Sequence, residues 1–414
     1  MNQPRPLTSI IILIIGSGLL FGLVWGNYQF AKKNIGGANF LIQWIGIRSI
    51  ITGGSSPYDD AVTAQIQQAV KFESDYTAHS PSRFTAPIFS GILTFPFAIL
   101  ENRILAHAFW LSAQLIALWL ILLLGLRLTT WKPAWYLFLL FSLLTLLSYH
   151  VMVPWLDGGL AIWSALFLVL TLSAIHNNWN ELGGVFLAFT AIKPQMVILV
   201  IVFILIWAAF QRRKYLILWF FITLILVSVI GSLLVPNWMQ QYIKLLYNFP
   251  ETFAGSTLAM LFKVSWPGLG IQLGWLVTVI SAGVLLAEWW LARRRDFRWL
   301  LWTACLTIVV SQWIGIPTTP DNLTGLILPL ILVASMLTEH WPRGGKWVAT
   351  FMLLLIFAWE WVLLYLDIAS PQATVLLNLL IPLPLISIIG LYWIRWWAIK
   401  PRRLLLEELR LGAI

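Results

Sequence analysis

Apolar residues run along this chain in long continuous stretches separated by short polar breaks. Stretches near 8–29, 104–127, 133–152, 158–175, 182–193, 195–210, 214–235, 269–291, 298–316, 322–338, 347–366 and 373–395 predict about 12 transmembrane helices. Roughly 20 residues at a rise of about 1.5 Å span a hydrocarbon core. Strands of a membrane barrel would alternate polar and apolar positions, so these unbroken runs exclude one. The expected fold class is an all-α polytopic membrane protein, one integral membrane domain over 1–414. The first run follows Arg5 and has no small-residue cleavage site after it, so it reads as an uncleaved anchor. The runs 182–193 and 195–210 meet at Lys193-Pro194 and read as two half-helices. Residues 85–100 are apolar but short and proline-broken, which predicts a re-entrant or shallow helix.

One wetter stretch, "GGANFLIQWIGIRSIITGGSSPYDD" at 36–60, breaks the pattern. Within it Phe40, Trp44, Ile47 and Ile51 recur at three- and four-residue spacing. That spacing makes one apolar helical face, suited to lying along a membrane interface. "GGSSP" ends this helix, and Asp59 and Asp60 fall at the start of the next, predicted over 58–72. Carboxylates at a helix start favour its positive end, so both have an ordinary capping role open to them.

Composition agrees with the pattern: 60% of residues are hydrophobic, 10% are charged, and mean hydropathy is +0.86. The one cysteine, Cys305, lies inside an apolar run and cannot build a disulfide within the chain. A net charge of +10 would suit nucleic acid, but its placement gives another reason for it. Seventeen of the 26 basic residues, including Arg127, Arg212, Arg213, Arg293, Arg294, Arg295, Arg343 and Arg395, fall on one side of the predicted crossings. The short loops 153–157, 317–321 and 367–372 on the other side carry none. Positive charge is retained in the cytoplasm. Both termini are therefore expected inside a plasma membrane, with 30–84 and 236–268 external and the basic tail 396–414 on the inner leaflet. Membrane lipids are the expected partners of this charge, and nucleic acid is not.

Several polar groups stand out in this setting. Asp157 lies in "VPWLDGG" and Asp321 in "GIPTTPDN", each in a predicted short outer loop. Lys193 sits at membrane depth, where an unpaired ammonium costs about 2.5–3.5 kcal/mol on insertion scales. It needs a partner or a wet cavity, and Gln195 stands beside it. Arg83 is a second external cation. Tyr149 and His150 read as interfacial anchors, Glu288 as paired near an inner helix end, and Glu360 as paired or facing a wet interior. No His-x-x-x-His or Cys-x-x-Cys spacing supports a metal site, and no P-loop or Gly-x-Gly-x-x-Gly after a strand supports a nucleotide, so no cofactor is expected.

Three stretches taken in order carry a resemblance. They are the 36–60 segment, "FTAPIFSGILTFPFAIL" at 84–100, and "LGGVFLAFTAIKPQMVILVIVFILIWAAFQRRK" at 182–214. They resemble glycosyltransferase family 87, integral membrane mannosyltransferases of GT-C type. The resemblance implies a polyprenyl-phosphate sugar donor, a lipid or glycan acceptor, and hexose transfer on the extracytoplasmic face. It implies a carboxylate as base, with Asp60, Asp59, Asp157 and Asp321 as candidates, and substrate binding by Asn39, Gln43, Arg83, Lys193 and Gln195. The sequence departs from the pattern at three places. Asn39 stands where the pattern has an acid, Ala86 where it has an aromatic residue, and Gly159 where it commonly has glutamine. An amide has no basic lone pair at neutral pH, so a neighbouring acid must serve if the reaction is retained. A GT-C-like scaffold without catalysis and a lipid or solute transporter are the alternative readings.

Overall fold

A computed structural model describes residues 6–33, 37–73, 83–248, 257–314, 318–341, 343–369 and 381–400. Within them the chain is helical, with no β-strand. Six helical segments are long and apolar enough to cross a membrane, and a bent pair makes a seventh. Four further apolar helices of 10–17 residues accompany them. The protein is thus an all-α, multi-pass integral membrane protein.

The first part of the chain folds as α1 (Pro6–Lys33), α2 (Ala38–Gly53) and α3 (Asp60–Glu73). A 3-10 turn (Ile88–Ser90) and α4 (Gly91–Ala98) then form the predicted proline-broken element. The striped helix lies against protein as well as facing outward. Phe40 and Ile47 are buried, whereas Ile51 is 41% exposed. The Trp44 indole donates to the Phe97 carbonyl at 3.2 Å, and Arg48 donates to the carbonyls of Ala98 and Leu100 at 3.2 Å each. Those carbonyls lie in the last turn of α4 and just beyond it, where a helix ends with spare acceptor capacity.

The membrane body follows as α5 (Arg103–Leu128), α6 (Trp135–Leu147), α7 (Tyr149–Asp157), α8 (Ala161–His176), α9 (Asn180–Thr190), α10 (Pro194–Phe210) and α11 (Lys214–Leu234). Next come α12 (Trp238–Asn248) and α13 (Leu258–Ser265), two helices within the loop predicted over 236–268. The chain continues through α14 (Gly270–Ala292), α15 (Phe297–Ser311), a 3-10 turn (Pro320–Leu326), α16 (Ile327–His340), α17 (Gly345–Ala369) and α18 (Pro382–Ile399). The predicted last crossing began at 373; residues 370–380 lie outside the described ones, and the described helix begins at Pro382.

Burial separates central from peripheral helices. Every residue of α15 from Leu300 to Ser311, and of α16 from Ile327 to Leu337, is buried, Cys305 included. A helix apolar on every side belongs in the middle of a bundle. By contrast α11 and α14 expose Ile225, Leu226, Leu276, Val279 and Ile280 at 55–64%. Exposed apolar surface of that extent suits lipid tails. At Gly184 in α9 an added Cβ would lie 2.4 Å from the Leu216 carbonyl oxygen of α11, so this crossing needs a residue without a side chain. Near the C-terminal end of α18, Arg395 pairs with Glu288 at 2.9 Å, so this acid is paired as expected, by a partner from another helix rather than by the arginines that follow it.

Two expectations need correction. Residues 153–157 are the last turn of α7, not a loop. Pro154 lacks an N–H, which leaves the His150 carbonyl without its helical donor. The Thr324 hydroxyl supplies one at 3.1 Å, so the helix continues to Asp157. His150 is no interfacial anchor either. Its side chain is 1% exposed, with Nδ1 at 2.6 Å from Glu360 Oε1, and Glu360 is equally buried. The His150 backbone N–H also donates to Glu360 at 3.3 Å, so this acid fixes the start of α7, directly after a 54° bend from α6.

Candidate active site

Four segments distant in sequence converge at one polar group. The first is the start of α2. Its N-cap is Gly37, which has no side chain to offer to the helix's unfilled N–H groups. Asp157 serves instead: the Asn39 backbone N–H donates to Asp157 Oδ1 at 3.2 Å, and Asn39 Nδ2 donates to Asp157 Oδ2. The amide at 39 thereby has a physical reason. It donates to the facing carboxylate, whereas an acid there would set a like charge against it.

Asp157 is the last residue of α7, at the negative end of that helix, where a carboxylate is disfavoured. No cation pairs with it directly, and the two donors from Asn39 are its partners among the described residues. A carboxylate kept half-buried in such a place has lone pairs left over to take a proton.

The turn after Asp157 is held from α5. Gly158 closes α7 at φ +73°, a conformation that disfavours any residue with a Cβ. The Trp110 indole donates to the Gly158 carbonyl at 2.9 Å, and Gln114 Nε2 donates to the Gly159 carbonyl at 2.7 Å. Both side chains are fully buried. A Cβ on Gly158 would sit 2.5 Å from the Phe40 Cβ, so Gly158→Ala meets both strain and collision. It is expected to lower the thermal unfolding temperature of the detergent-solubilised protein, with about 1–3 kcal/mol lost to backbone strain alone. A variant as stable as wild type would contradict this reading of the turn.

The third and fourth segments supply an ion pair. Lys193, 8% exposed, precedes Pro194 at the N-cap of α10. Proline holds the residue before it out of the helix, which separates α9 from α10 as predicted. Lys193 Nζ pairs with Asp321 Oδ2, and the Thr319 hydroxyl donates to Asp321 Oδ1. Asp321 lies in the first turn of the 3-10 helix that leads into α16. The buried lysine thus has an ion-pair partner. Gly159 joins the two halves of the site, because a Cβ built there lies 3.7 Å from both Asn39 Nδ2 and Asp321 Oδ2.

Not every expected residue joins this group. Asp59 accepts from the Ser56 N–H at 3.0 Å, and its side chain closes the turn before α3. Asp60 is 95% exposed and lies 3.6 Å from Arg83. Neither hydrogen-bonds or ion-pairs with Asn39, Asp157, Lys193 or Asp321 among the described residues. Gln43 lies one helical turn after Asn39 on the same face, buried, with Oε1 lacking a partner among the described residues. Gln195 is half-buried one residue beyond Pro194. Between α2 and α3, burial pushes the Tyr58 phenol well above its ordinary range, and Tyr242 adds to this. The phenol stays a neutral donor to the Ala86 carbonyl at 2.7 Å. Among the described residues no group of three or more His, Cys, Asp or Glu side chains is placed to hold a metal ion.

Sequence reasoning missed Thr319, Trp110 and Gln114. Gln114 carried a usable signal, being an amide inside an otherwise apolar span. Trp110 and Thr319 carried none that set them apart from the other tryptophans and threonines.

The fold and site together define a multi-pass membrane protein with a half-buried acid, amide and lysine–carboxylate cluster where its helices end. The model of glycosyltransferase family 87 matches residues 84–314, more than half of the chain. The chain belongs to glycosyltransferase family 87, and is a membrane glycosyltransferase acting between a sugar donor and an acceptor. No curated protein and no solved structure matches it at a significant level. The matched region contains Asp157, Gly159 and Lys193; Asn39 and Asp321 lie outside it.

Proposed function

We propose that the protein transfers a hexose, with mannose the first candidate, from a polyprenyl-phosphate donor to a lipid or glycan hydroxyl on the extracytoplasmic face of the plasma membrane. The scaffold would be of GT-C type. The convergence of Asn39, Asp157, Lys193 and Asp321 in a family 87 chain is the observation that carries this reading.

Asp157 takes the proton of the acceptor hydroxyl as its oxygen bonds to the anomeric carbon. The bond from that carbon to the phosphate oxygen breaks, and the phosphate leaves with the electron pair. Lys193 has three N–H donors, and Asp321 occupies one of them. The other two can meet phosphate oxygens, and the positive end of α10 adds to their pull. Asp321 sets the direction of the ammonium and offsets its charge before the donor arrives. Asn39 orients Asp157 and has a second N–H for a sugar hydroxyl. The donor carries its own activation, so no nucleotide or cofactor enters the scheme.

Membranes carrying the protein should move labelled hexose from polyprenyl phosphate to an acceptor, and should move none from a nucleotide sugar. Equal use of the nucleotide sugar would overturn the donor assignment. The orientation has its own test in a Cys305→Ala background. Ser55→Cys and Arg294→Cys each replace an exposed residue. An impermeant thiol reagent on intact cells should label position 55 and spare 294, by the basic-residue bias. Labelling of 294 alone would invert the topology.

A further inference from the structure

Gly158 and Gly159 are neighbours with opposite surroundings. Gly158 has a left-handed backbone and no room, since an added Cβ would collide with Phe40. Gly159 is not among the residues with positive φ, so a side chain there meets no backbone penalty. A Cβ at 159 would also collide with nothing. Its three nearest neighbours are Asn39 Nδ2 at 3.7 Å, Asp321 Oδ2 at 3.7 Å and Asn39 Cβ at 4.0 Å, all ordinary contact distances. Folding therefore has no need of glycine at 159, yet the space above it lies between the two halves of the polar cluster.

What that space can hold follows from its walls. Asn39 Nδ2 gives one hydrogen to Asp157 and has a second to give. Asp321 Oδ2 receives Lys193 and has a lone pair remaining. One wall donates and the other accepts. A hydroxyl group can do both at once, accepting from the amide and donating to the carboxylate. An apolar group there offers neither a donor nor an acceptor, so it meets neither the spare amide hydrogen nor the spare lone pair.

We infer that Gly159 is the specificity-determining position of the site. Its missing side chain leaves room for a sugar hydroxyl between Asn39 and Asp321, and any side chain there narrows the substrate that can approach Asp157. This inference rests on the glycosyltransfer reading given under Proposed function.

Gly159→Ala and Gly159→Val test it in the full-length protein, using polyprenyl-phosphate hexose as the probe donor. The methyl of alanine meets Asn39 and Asp321 at ordinary contact distance, and the branched side chain of valine carries two further methyl groups toward them. Unfolding temperatures should stay within about 2 °C of wild type for the alanine variant, in contrast to Gly158→Ala. The kcat/KM for transfer should fall about tenfold with alanine and about 100-fold or more with valine, the range for one or more misplaced methyl groups in a shaped site. Wild-type kcat/KM in both variants would overturn the role of Gly159 and leave the glycosyltransfer reading standing. A stability loss in Gly159→Ala as large as that of Gly158→Ala would show the glycine to be required for folding, and would also overturn the inference. A wild-type protein without transfer would overturn the glycosyltransfer reading, and the inference with it.

Discussion

Asp157→Asn should lower sugar transfer by about 10²–10⁴-fold, the usual loss when a general base is removed, or roughly 3–5 kcal/mol of transition-state stabilisation. The substitution keeps the shape of the side chain and one oxygen for the Asn39 N–H. Its amide cannot accept from Asn39 Nδ2 if it presents nitrogen there, so some loosening of α2 accompanies the change. Two readouts separate the effects. Loss of the base lowers kcat while donor affinity persists. Loosening of α2 lowers the unfolding temperature, and the half-buried setting of both residues keeps that part modest. A kcat near wild type in Asp157→Asn would move the base elsewhere, with Asp321 the next candidate in the cluster.

Asp321→Asn should be the most damaging change to the folded protein. Lys193 would keep its charge and lose its ion-pair partner, with side chains only 9% and 20% exposed in the pair. Removing one partner of a buried ion pair costs about 3–5 kcal/mol. The expected results are a large fall in unfolding temperature and less protein recovered from membranes. Lys193→Met with Asp321→Asn removes both charges together and should recover most of that stability, because neither member of the ion pair is left charged without the other. Transfer should not return, since the donor phosphate has lost its cation. A double variant with wild-type donor affinity would show that the pair is structural and that phosphate is held elsewhere. If Asp321→Asn alone keeps full stability, the ion pair does not hold the two segments together.

Much of the fold was legible because the bilayer imposes simple rules. Apolar run length placed α5, α8, α11, α14 and α17 within a few residues of where they lie. Lys193-Pro194 marked the break between α9 and α10, since proline acts on the backbone locally. The stripe at 39–52 predicted α2, and the following carboxylates predicted the start of α3. The end of α7 was misjudged because the apolar run over 133–152 stops before it, and Pro154 beyond that run lacks the N–H that a continuing helix uses. The rescuing hydroxyl, Thr324, comes from 174 residues away, and no local pattern announces it.

The site was legible as a set of residues and illegible as an arrangement. Lys193 stood out as a charge at predicted membrane depth, Asp157 and Asp321 as acids in predicted short outer loops, and Asn39 as the amide where the family pattern has an acid. Their grouping depends on contacts separated by 118 residues for Asn39–Asp157 and 128 for Lys193–Asp321. Nearness in sequence favoured Asp59 and Asp60 as partners of Asn39. Both are at the start of α3, where one closes a turn and the other faces solvent and Arg83. The carboxylate that meets Asn39 comes from a helix end that a sequence reading had made into a loop.

The central claim is that the chemistry lies at Asp157 rather than at the acids beside Asn39 in sequence. It is tested most directly by reconstituting purified protein in lipid vesicles with radiolabelled polyprenyl-phosphate hexose and an acceptor lipid. Wild type, Asp157→Asn and the double variant Asp59→Asn with Asp60→Asn would be compared at matched amounts of folded protein. The account predicts transfer by wild type, transfer within about threefold of it by the Asp59/Asp60 variant, and a loss of about 100-fold or more in Asp157→Asn. Loss of transfer in the Asp59/Asp60 variant with Asp157→Asn near wild type would contradict it.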